Sequence, residues 1–383
     1  WARDALITCL GALHSGDARL MESAAATVDT LSAHASPLGQ IPALVDPSRN
    51  TWDFAEGGVV DTSAWLAIVA AEHLDVTGDT DRAKTWWPAV HAAIRWLAHQ
   101  DVTGSGLLST APSTDWMDAA LTRSGRTLHM NVLYAWAIRS AERIARVLGE
   151  DFRPPVADVD GLVNAWFWPT RTIRFEDLFP SGFAHTALAT EYRRVAVEER
   201  THYVCHIVHA AFVERLDVLA NCLAIVGGVA GQDRSATILA AVEPASSPWP
   251  SRTFPDPVPA SDASGMKIEA VDAVIDPRWS NSPGRYHNGG AWPYVGGFHA
   301  AAVAAFGMLL RDSEHKGRAS FELVRSLGPA VTTTVDGDLS NGTTYYYVVT
   351  AVDLSSNESV DSSEVSETLA LVWGTVFDNG DQA

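Results

Sequence analysis

The sequence predicts an all-α fold built from helical hairpins. Up to about Leu327, apolar residues recur at three- and four-residue spacings, and clusters of Gly, Pro, Asp and Ser separate the runs. No stretch in that part alternates as a buried strand does. Helices that each carry one apolar stripe bury it most simply against one another. A chain of 383 residues, 47% hydrophobic and 19% charged, is long and apolar enough to form such a core.

Leu6, Leu10 and Leu13 share one helical face, and a second apolar run covers residues 18–31 before Pro37 and Gly39 break it. Residues 60–76 read as a strong helix carrying Trp65, Ile68, Val69 and Leu74, with Gly78 placed for a left-handed C-terminal cap. Residues 79–99 follow at once, with Trp86, Val90, Ile94 and Leu97 on one side, so the two make a hairpin. The same periodicity extends the series over residues 128–148, 216–229, 233–242 and 297–310.

The net charge of −19 argues against a nucleic-acid partner, because phosphate binding rests on Lys and Arg. A neutral or polar small substrate fits better. Cys9, Cys205 and Cys222 are too few and scattered for a disulfide framework and read as core thiols in apolar helical contexts. No apolar run approaches the roughly 18 residues of a membrane span, so no membrane partner is expected. The first residue is Trp1 and no leader is visible, so an upstream segment is expected.

Beyond the helical part the composition changes. Residues 331–383 contain no Lys, Arg or His but nine Asp and Glu, about half of the net charge. The run Thr343-Thr344-Tyr345-Tyr346-Tyr347-Val348-Val349-Thr350-Ala351-Val352 is strand chemistry. From Leu339 to Asp353, with Asn357-Glu358-Ser359 after it, the tail resembles the last strands of a bacterial fibronectin type III module. The expected domains are therefore 1–328, helical, and 329–383, a partial β module that leans on the helical part or is poorly ordered. That resemblance tilts localisation toward secretion from a bacterium.

The sharpest chemical cluster is Asp115-Trp116-Met117-Asp118, read as a loop before a helix. Two carboxylates flanking an indole suit glycoside hydrolysis, where an acid protonates a leaving oxygen while an aromatic face stacks on the sugar. Capping of a helix start is the competing reading. Trp1-Ala2-Arg3-Asp4, Asn50-Thr51-Trp52, Val60-Asp61-Thr62-Ser63-Ala64-Trp65 and Arg285-Tyr286-His287-Asn288-Gly289-Gly290-Ala291-Trp292-Pro293 likewise set polar groups beside aromatic ones. His202 and His206, read as one helical turn apart with Cys205 between, have zinc-like spacing. With no Glu base and no second Cys pair, no metal or other cofactor is expected. The pairs Gly227-Gly228, Gly289-Gly290 and Gly296-Gly297 lack the Lys-Ser or Lys-Thr of a phosphate loop and read as turns.

In order along the chain, Trp1-Ala2-Arg3-Asp4, Gly39-Gln40-Ile41-Pro42, Val60-Asp61-Thr62-Ser63-Ala64-Trp65 with Thr77-Gly78-Asp79, Trp116-Met117-Asp118, Leu216-Asp217-Val218-Leu219-Ala220-Asn221 and Tyr286-His287-Asn288-Gly289-Gly290-Ala291-Trp292-Pro293 resemble motifs of amylo-α-1,6-glucosidase (glycogen debranching) and neutral-invertase-like glycosidases. The resemblance spans the helical part, roughly Trp1 to Leu327.

It implies an (α/α)6 toroid, the six-hairpin glycosidase fold, and hydrolysis with inversion. Asp118 then takes the role of general acid, with Asp115 as runner-up. Trp1, Arg3, Asp4, Asp61, Trp65, Trp116, Tyr286, His287 and Trp292 become the substrate-binding neighbours of an oligosaccharide or polysaccharide. Inversion also needs a second carboxylate, about 6.5–9.5 Å from the acid, to activate water. The family pattern sets a late Glu there, or a residue where this chain has Ala291, and supplies no match. Glu314 and Glu322 read as solvated helix charges, so the last helix and its base are expected to lie outside this chain. His129 stands where debranching enzymes carry a Glu. Two other classes remain open: a sugar epimerase or isomerase using His287 and His206, and an inactive carbohydrate-binding fragment that lacks the base.

Overall fold

The computed structural model describes residues 1–54, 59–112, 114–117, 121–178, 186–246, 250–259, 267–268, 282–315, 344–347 and 365–368. The chain forms two compact units, Trp1–Val303 and Ala304–Ala383.

The first unit is helical. Its helices are α1 (Ala2–Leu13), α2 (Ala18–Ala33), α3 (Val59–Thr77), α4 (Thr80–Ala98), α5 (Leu128–Leu148), α6 (Val159–Phe167), α7 (Thr186–Val195), α8 (Val218–Val226) and α9 (Gln232–Val242). A tenth, α10 (Pro293–His315), begins in this unit. Burial sorts these helices into two kinds. Residues 60–71 of α3 are all buried, as is α8 from Val218 to Ile225, and a helix surrounded by protein on every side belongs inside. Helices α2 and α4 bury single stripes, Ala24, Val28 and Leu31 in one and Ala83, Trp86, Val90, Ile94 and Leu97 in the other.

Each inner helix packs on the outer helix that follows it in the chain, α1 on α2, α3 on α4, α5 on α6 and α8 on α9. The inner helices also pack side by side in chain order, α1 on α3, α3 on α5 and α5 on α8. This is the double-layered (α/α) toroid that the hairpin pattern predicts. The turn Thr77-Gly78-Asp79 reverses the chain between α3 and α4. Gly78 takes φ +69° and donates its amide to the Leu74 carbonyl at 2.8 Å, while the Asp79 side chain accepts from the Arg82 amide at 3.0 Å.

One device recurs where inner helices begin. One polar side chain, or two adjacent ones, near the helix start grips both the N–H and the C=O of one residue in an earlier loop. Ile41 donates to Ser63 Oγ at 3.1 Å and accepts from Thr62 Oγ1 at 3.0 Å. Leu108 does the same with Asn131 at 2.7 and 3.1 Å, and Tyr203 with Asn221 at 2.9 and 3.4 Å. Val258 pairs with Asn288, just ahead of α10, at 2.6 and 2.9 Å. An Asn amide can accept through its oxygen and donate through its nitrogen to the same residue, as a neighbouring strand would, so it satisfies a buried loop backbone without a sheet.

Several sequence expectations are corrected here. The helical unit contains short strands, because segments of two or three residues are too brief to show alternation. They are β1 (Leu44–Asp46) with β2 (Thr51–Asp53), β3 (Leu121–Thr122) with β7 (Lys267–Ile268), and β4 (Arg126–Thr127) with β5 (His206–Val208) and β6 (Ala211–Val213). Cys205, expected in a helix, precedes β5. His202 and His206 are therefore not one helical turn apart, and the metal-like spacing dissolves. The loop carrying Asp115 leads into β3 and β4 before α5 begins, not directly into a helix. Helices α6 and α7 fall outside the runs that periodicity marks.

In the second unit, β8 (Thr344–Tyr347) pairs antiparallel with β9 (Val365–Thr368), Thr344 opposite Thr368 and Tyr347 opposite Val365. Glu322 lies outside the described residues. Among the described residues no helix is long and apolar enough to cross a membrane.

Replacing Asn131 with Ala orphans the Leu108 amide and carbonyl inside the core. Each unsatisfied buried group costs about 1–3 kcal/mol, so Asn131→Ala lowers unfolding free energy by about 2–5 kcal/mol in urea denaturation. An exposed change such as Lys84→Ala stays within about 0.5 kcal/mol.

Candidate active site

The starts of the inner helices come together at one end of the first unit. Arg3 lies in the first turn of α1, Asp61 in that of α3 and His129 in that of α5, while Asp217 caps α8 and Tyr294 opens α10. Arg3 Nε donates to Asp61 Oδ2 at 2.6 Å, and Arg3 Nη2 reaches the Asp115 carbonyl at 3.0 Å. His129 Nε2 stands 3.7 Å from Asp61 Oδ2. Helix N-termini carry partial positive charge, so their convergence favours the carboxylates gathered there.

Arg123 ties the other half together. Its Nε donates to Asp115 Oδ2 at 2.7 Å, and its Nη1 pairs with Asp217 Oδ2. All three side chains are fully or almost fully buried. Asp115 Oδ1 accepts the Met117 amide at 2.9 Å, and Asp217 Oδ1 accepts the Ala220 amide at 3.0 Å. Burial alone would push the Asp115 carboxyl up, but the charges of Arg123 and His129 and the Met117 and Arg123 hydrogen bonds hold it below the usual range. Desolvation opposes the Arg123 charge, yet Asp115 and Asp217 raise its pKa well above the ordinary value. Cys205 Sγ lies 3.7 Å from Arg123, but burial pushes that thiol up to about 12, which keeps it neutral.

Aromatic rings form the adjoining wall. Trp116, 4% exposed, meets His287, Trp292 and Tyr294 edge-on, with centroids 5.0, 6.0 and 5.4 Å away. Tyr286 stacks on His287 at 4.1 Å, and His287 on Trp292 at 5.5 Å. The Tyr286–Trp292 turn is held from within: Trp292 Nε1 donates to the Tyr286 carbonyl at 2.9 Å and Thr253 Oγ1 to the His287 carbonyl at 2.7 Å. Gly290 lies so close to the Tyr286 backbone that a Cβ there would collide with it, which explains the glycine in this motif. Tyr294 senses Arg3, Asp217, Asp61 and Arg123. Desolvation first, and then the Asp charges against the two Arg charges, hold its phenol well above the ordinary value.

Buried polar atoms normally have partners. Here several have none among the described residues: Asp61 Oδ1, both ring nitrogens of His129, Arg123 Nη2 and Trp116 Nε1. They surround the meeting point of the helix starts and offer both donors and acceptors.

Of the residues singled out from sequence, Arg3, Asp61, Asp115, Trp116, Tyr286, His287 and Trp292 come together. Asp118 lies outside the described residues, one position after the buried Met117. Trp1, 69% exposed, and Asp4 sit at the solvent-facing start of α1. Trp65 is 1% exposed and packs between Trp136 and Phe298 at 6.0 and 5.9 Å, and its Nε1 is buried with no hydrogen-bond partner among the described residues. Asp115, the runner-up acid, has both oxygens bonded, and its carboxyl is held below the usual range. Trp52 lies exposed on β2, edge-on to His34 at 5.0 Å. His202 Nε2 contacts the Glu214 carbonyl at 2.8 Å, and His206 lies buried in β5. No metal-binding cluster exists among the described residues.

The sequence reading missed Arg123, Asp217 and Tyr294 as site residues, and it marked His129 only as a departure. A signal for Asp217 was present: Thr127 and Asp217 each cap a helix and are each followed four residues later by the clamping Asn131 or Asn221.

An (α/α) toroid with an aromatic and carboxylate-lined cluster at the N-terminal ends of its inner helices is the class this architecture defines. Comparison of folds agrees. An uncharacterized conserved protein from Thermus thermophilus superposes with a TM-score of 0.56 at 15% identity, over 83% of each chain. The GH63 mannosylglycerate hydrolase of Thermus thermophilus, in complex with glucose, does so with a TM-score of 0.55 at 14% identity, over 83% of each chain. The same hydrolase in complex with Tris and D-glycerate gives a TM-score of 0.51 at 15% identity, again over 83% of each chain. No protein-family model and no curated protein matches the sequence.

Arg123→Met leaves two buried carboxylates without their counter-charge. Breaking such a pair costs about 3–5 kcal/mol at pH 7. Asp115 has a depressed pKa, so the stability it contributes is complete above the unfolded carboxylate value of about 3.9 and is lost as pH falls through the lower folded value. In the variant the orphaned carboxylates protonate more readily. Urea unfolding therefore shows a gap between wild type and variant that is widest at pH 7 and narrows toward pH 4.

Proposed function

We propose that this chain is an inverting glycoside hydrolase acting on a neutral, α-linked gluco-oligosaccharide or related sugar, with Asp118 as general acid. The observation that carries the reading is the set of unpartnered buried donors and acceptors beside a stacked aromatic wall. A sugar ring asks for that combination: hydroxyls need Asp61 Oδ1, Arg123 Nη2 and Trp116 Nε1, while the flat C–H face needs rings such as Trp292. Charge supports a neutral ligand. The guanidinium groups of Arg3 and Arg123 face the carboxylates of Asp61, Asp115 and Asp217, and the helix ends make up the difference. That leaves no surplus for a strongly charged substrate.

Asp118 is preferred to Asp115 on chemical grounds. A general acid must carry a proton and present it to the leaving oxygen, which Asp115, ionised and fully bonded, does not do. The loop arrangement gives Asp115 another task. It anchors the chain through Arg123 and the Met117 amide, immediately before Asp118 in sequence. The likeness in fold to a mannosylglycerate hydrolase that binds glucose supports a sugar site. The debranching-type specificity rests on the order of sequence motifs alone.

The test is hydrolysis of isomaltose, panose and maltotriose followed by proton NMR of the first anomer released. Wild type yields the β-anomer from an α-linkage, and Asp118→Asn loses about 10²–10⁴-fold in kcat while calorimetry still detects sugar binding. Release of the α-anomer, or full activity in Asp118→Asn, overturns the proposal.

A further inference from the structure

Two of the rings beside the charged cluster are sealed off, Trp116 at 4% and His287 at 2% exposure. A ligand meets the aromatic wall through the rings that are half-buried, Tyr286, Trp292 and Tyr294. Trp292 has its polar atom committed, because Nε1 donates to the Tyr286 carbonyl at 2.9 Å. Tyr294 is placed differently. Its ring stands edge-on to Trp116 and Trp292, 5.4 and 6.0 Å away at 87° and 86°, so two neighbours fix the plane of the phenol. The charges that act on that phenol come from both halves of the cluster, Arg3 and Asp61 from one and Arg123 and Asp217 from the other. Burial and these charges, rather than a hydrogen bond, set its acidity.

The geometry points to Tyr294 as a sugar-binding residue whose hydroxyl donates a hydrogen bond to one hydroxyl of the ring that occupies the site. This inference rests on the sugar-site reading above and adds a contact that reading does not contain. Tyr294 opens α10 directly after the Tyr286–Trp292 turn, so the element that presents the stacking rings also presents the phenol. Desolvation and the two Asp charges hold the phenol well above its ordinary value against the two Arg charges, which keeps it neutral and protonated. A neutral phenol can donate and accept at once, as a sugar hydroxyl can, and it adds a contact without altering the charge balance of the cluster. Donors fixed in place by packing also discriminate. A ligand without the matching hydroxyl leaves such a donor unpaired, which costs more than the bond itself gains.

The probes are D-glucose and its 2-, 3-, 4- and 6-deoxy analogues, titrated calorimetrically into the full chain. Tyr294→Phe keeps the ring and removes only the hydroxyl. Its expected effect is a weakening of glucose binding by about 3- to 10-fold, the worth of one neutral hydrogen bond. One deoxy analogue, the one that lacks the matching hydroxyl, binds wild type and variant equally, while the other three show the full loss. A ring that served only for packing would weaken all these ligands alike. Because the phenol stays protonated, the ratio of wild-type to variant affinity is the same at pH 6 and pH 8. Incorporation of 3-fluorotyrosine at 294, which keeps the hydroxyl, serves if the Phe variant does not fold: its fluorine resonance shifts with glucose and does not shift with that one analogue. Equal glucose affinity in wild type and folded Tyr294→Phe, a uniform loss across the ligands, or a fluorine resonance that does not tell them apart overturns the assignment and leaves the sugar-site reading standing. If wild type binds neither glucose and its analogues nor isomaltose, the sugar-site reading falls and this inference with it.

Discussion

Arg123 holds two carboxylates in a space that excludes water, and the rest of the site is arranged around that contact. A lone buried Asp would surrender its charge, and a lone buried Arg would be strongly disfavoured. Together Asp115, Arg123 and Asp217 are tolerated, and the remaining oxygens of the two carboxylates are closed by the Met117 and Ala220 amides. Such a cluster is weak as a source of net stability. Its force lies in register, because it joins a loop near residue 115 to the start of a helix about a hundred residues later. Arg3 performs the parallel task between Asp61 and the Asp115 backbone.

The toroid makes that convergence possible. Inner helices that return in the same direction after every outer helix bring all their N-termini to one end. Donors and partial positive charge therefore accumulate there, whatever the individual sequences. The clamps on Ile41, Leu108, Tyr203 and Val258 hold the approaching loops at the same places. Side chains at the start of an inner helix thus have two employments. Thr62, Ser63, Asn131 and Asn221 bind backbone and fix the scaffold, while Asp61 and His129, one or two positions away, keep atoms uncommitted. In the motif Asp61-Thr62-Ser63 a pair that binds backbone adjoins a carboxylate with one oxygen unbonded among the described residues.

Much of the scaffold is legible in the sequence because amphipathic periodicity is local. The run over residues 128–148 matches α5 to the residue, and the α3–α4 hairpin with its Gly78 cap lies within a residue or two of the limits that periodicity sets. Shorter elements are not legible. The three-residue β5 and the nine-residue α6 carry too few turns or alternations to rise above background, and the burial of His206 depends on β4 and β6, of which β4 lies far off in sequence. Likewise the sequence marks Trp65 and Trp116 only as tryptophans near polar groups. Their surroundings differ: Trp136 and Phe298 stand opposite the one, His287 and Trp292 opposite the other.

What the residues determined by themselves was the helical hairpin plan, the acidic charge balance, and the list of side chains from which the proposed sugar site is assembled. Those depend on composition and on contacts within a few residues. What only the tertiary structure decided was the use of each group: that Asp115 is an anchor, that Arg123 and Asp217 complete it, and that Asp61, unlike Asp115 and Asp217, keeps one carboxylate oxygen uncommitted. Hydrogen-bond satisfaction is a property of what surrounds an atom, and these surroundings are supplied by chain segments far apart in the sequence.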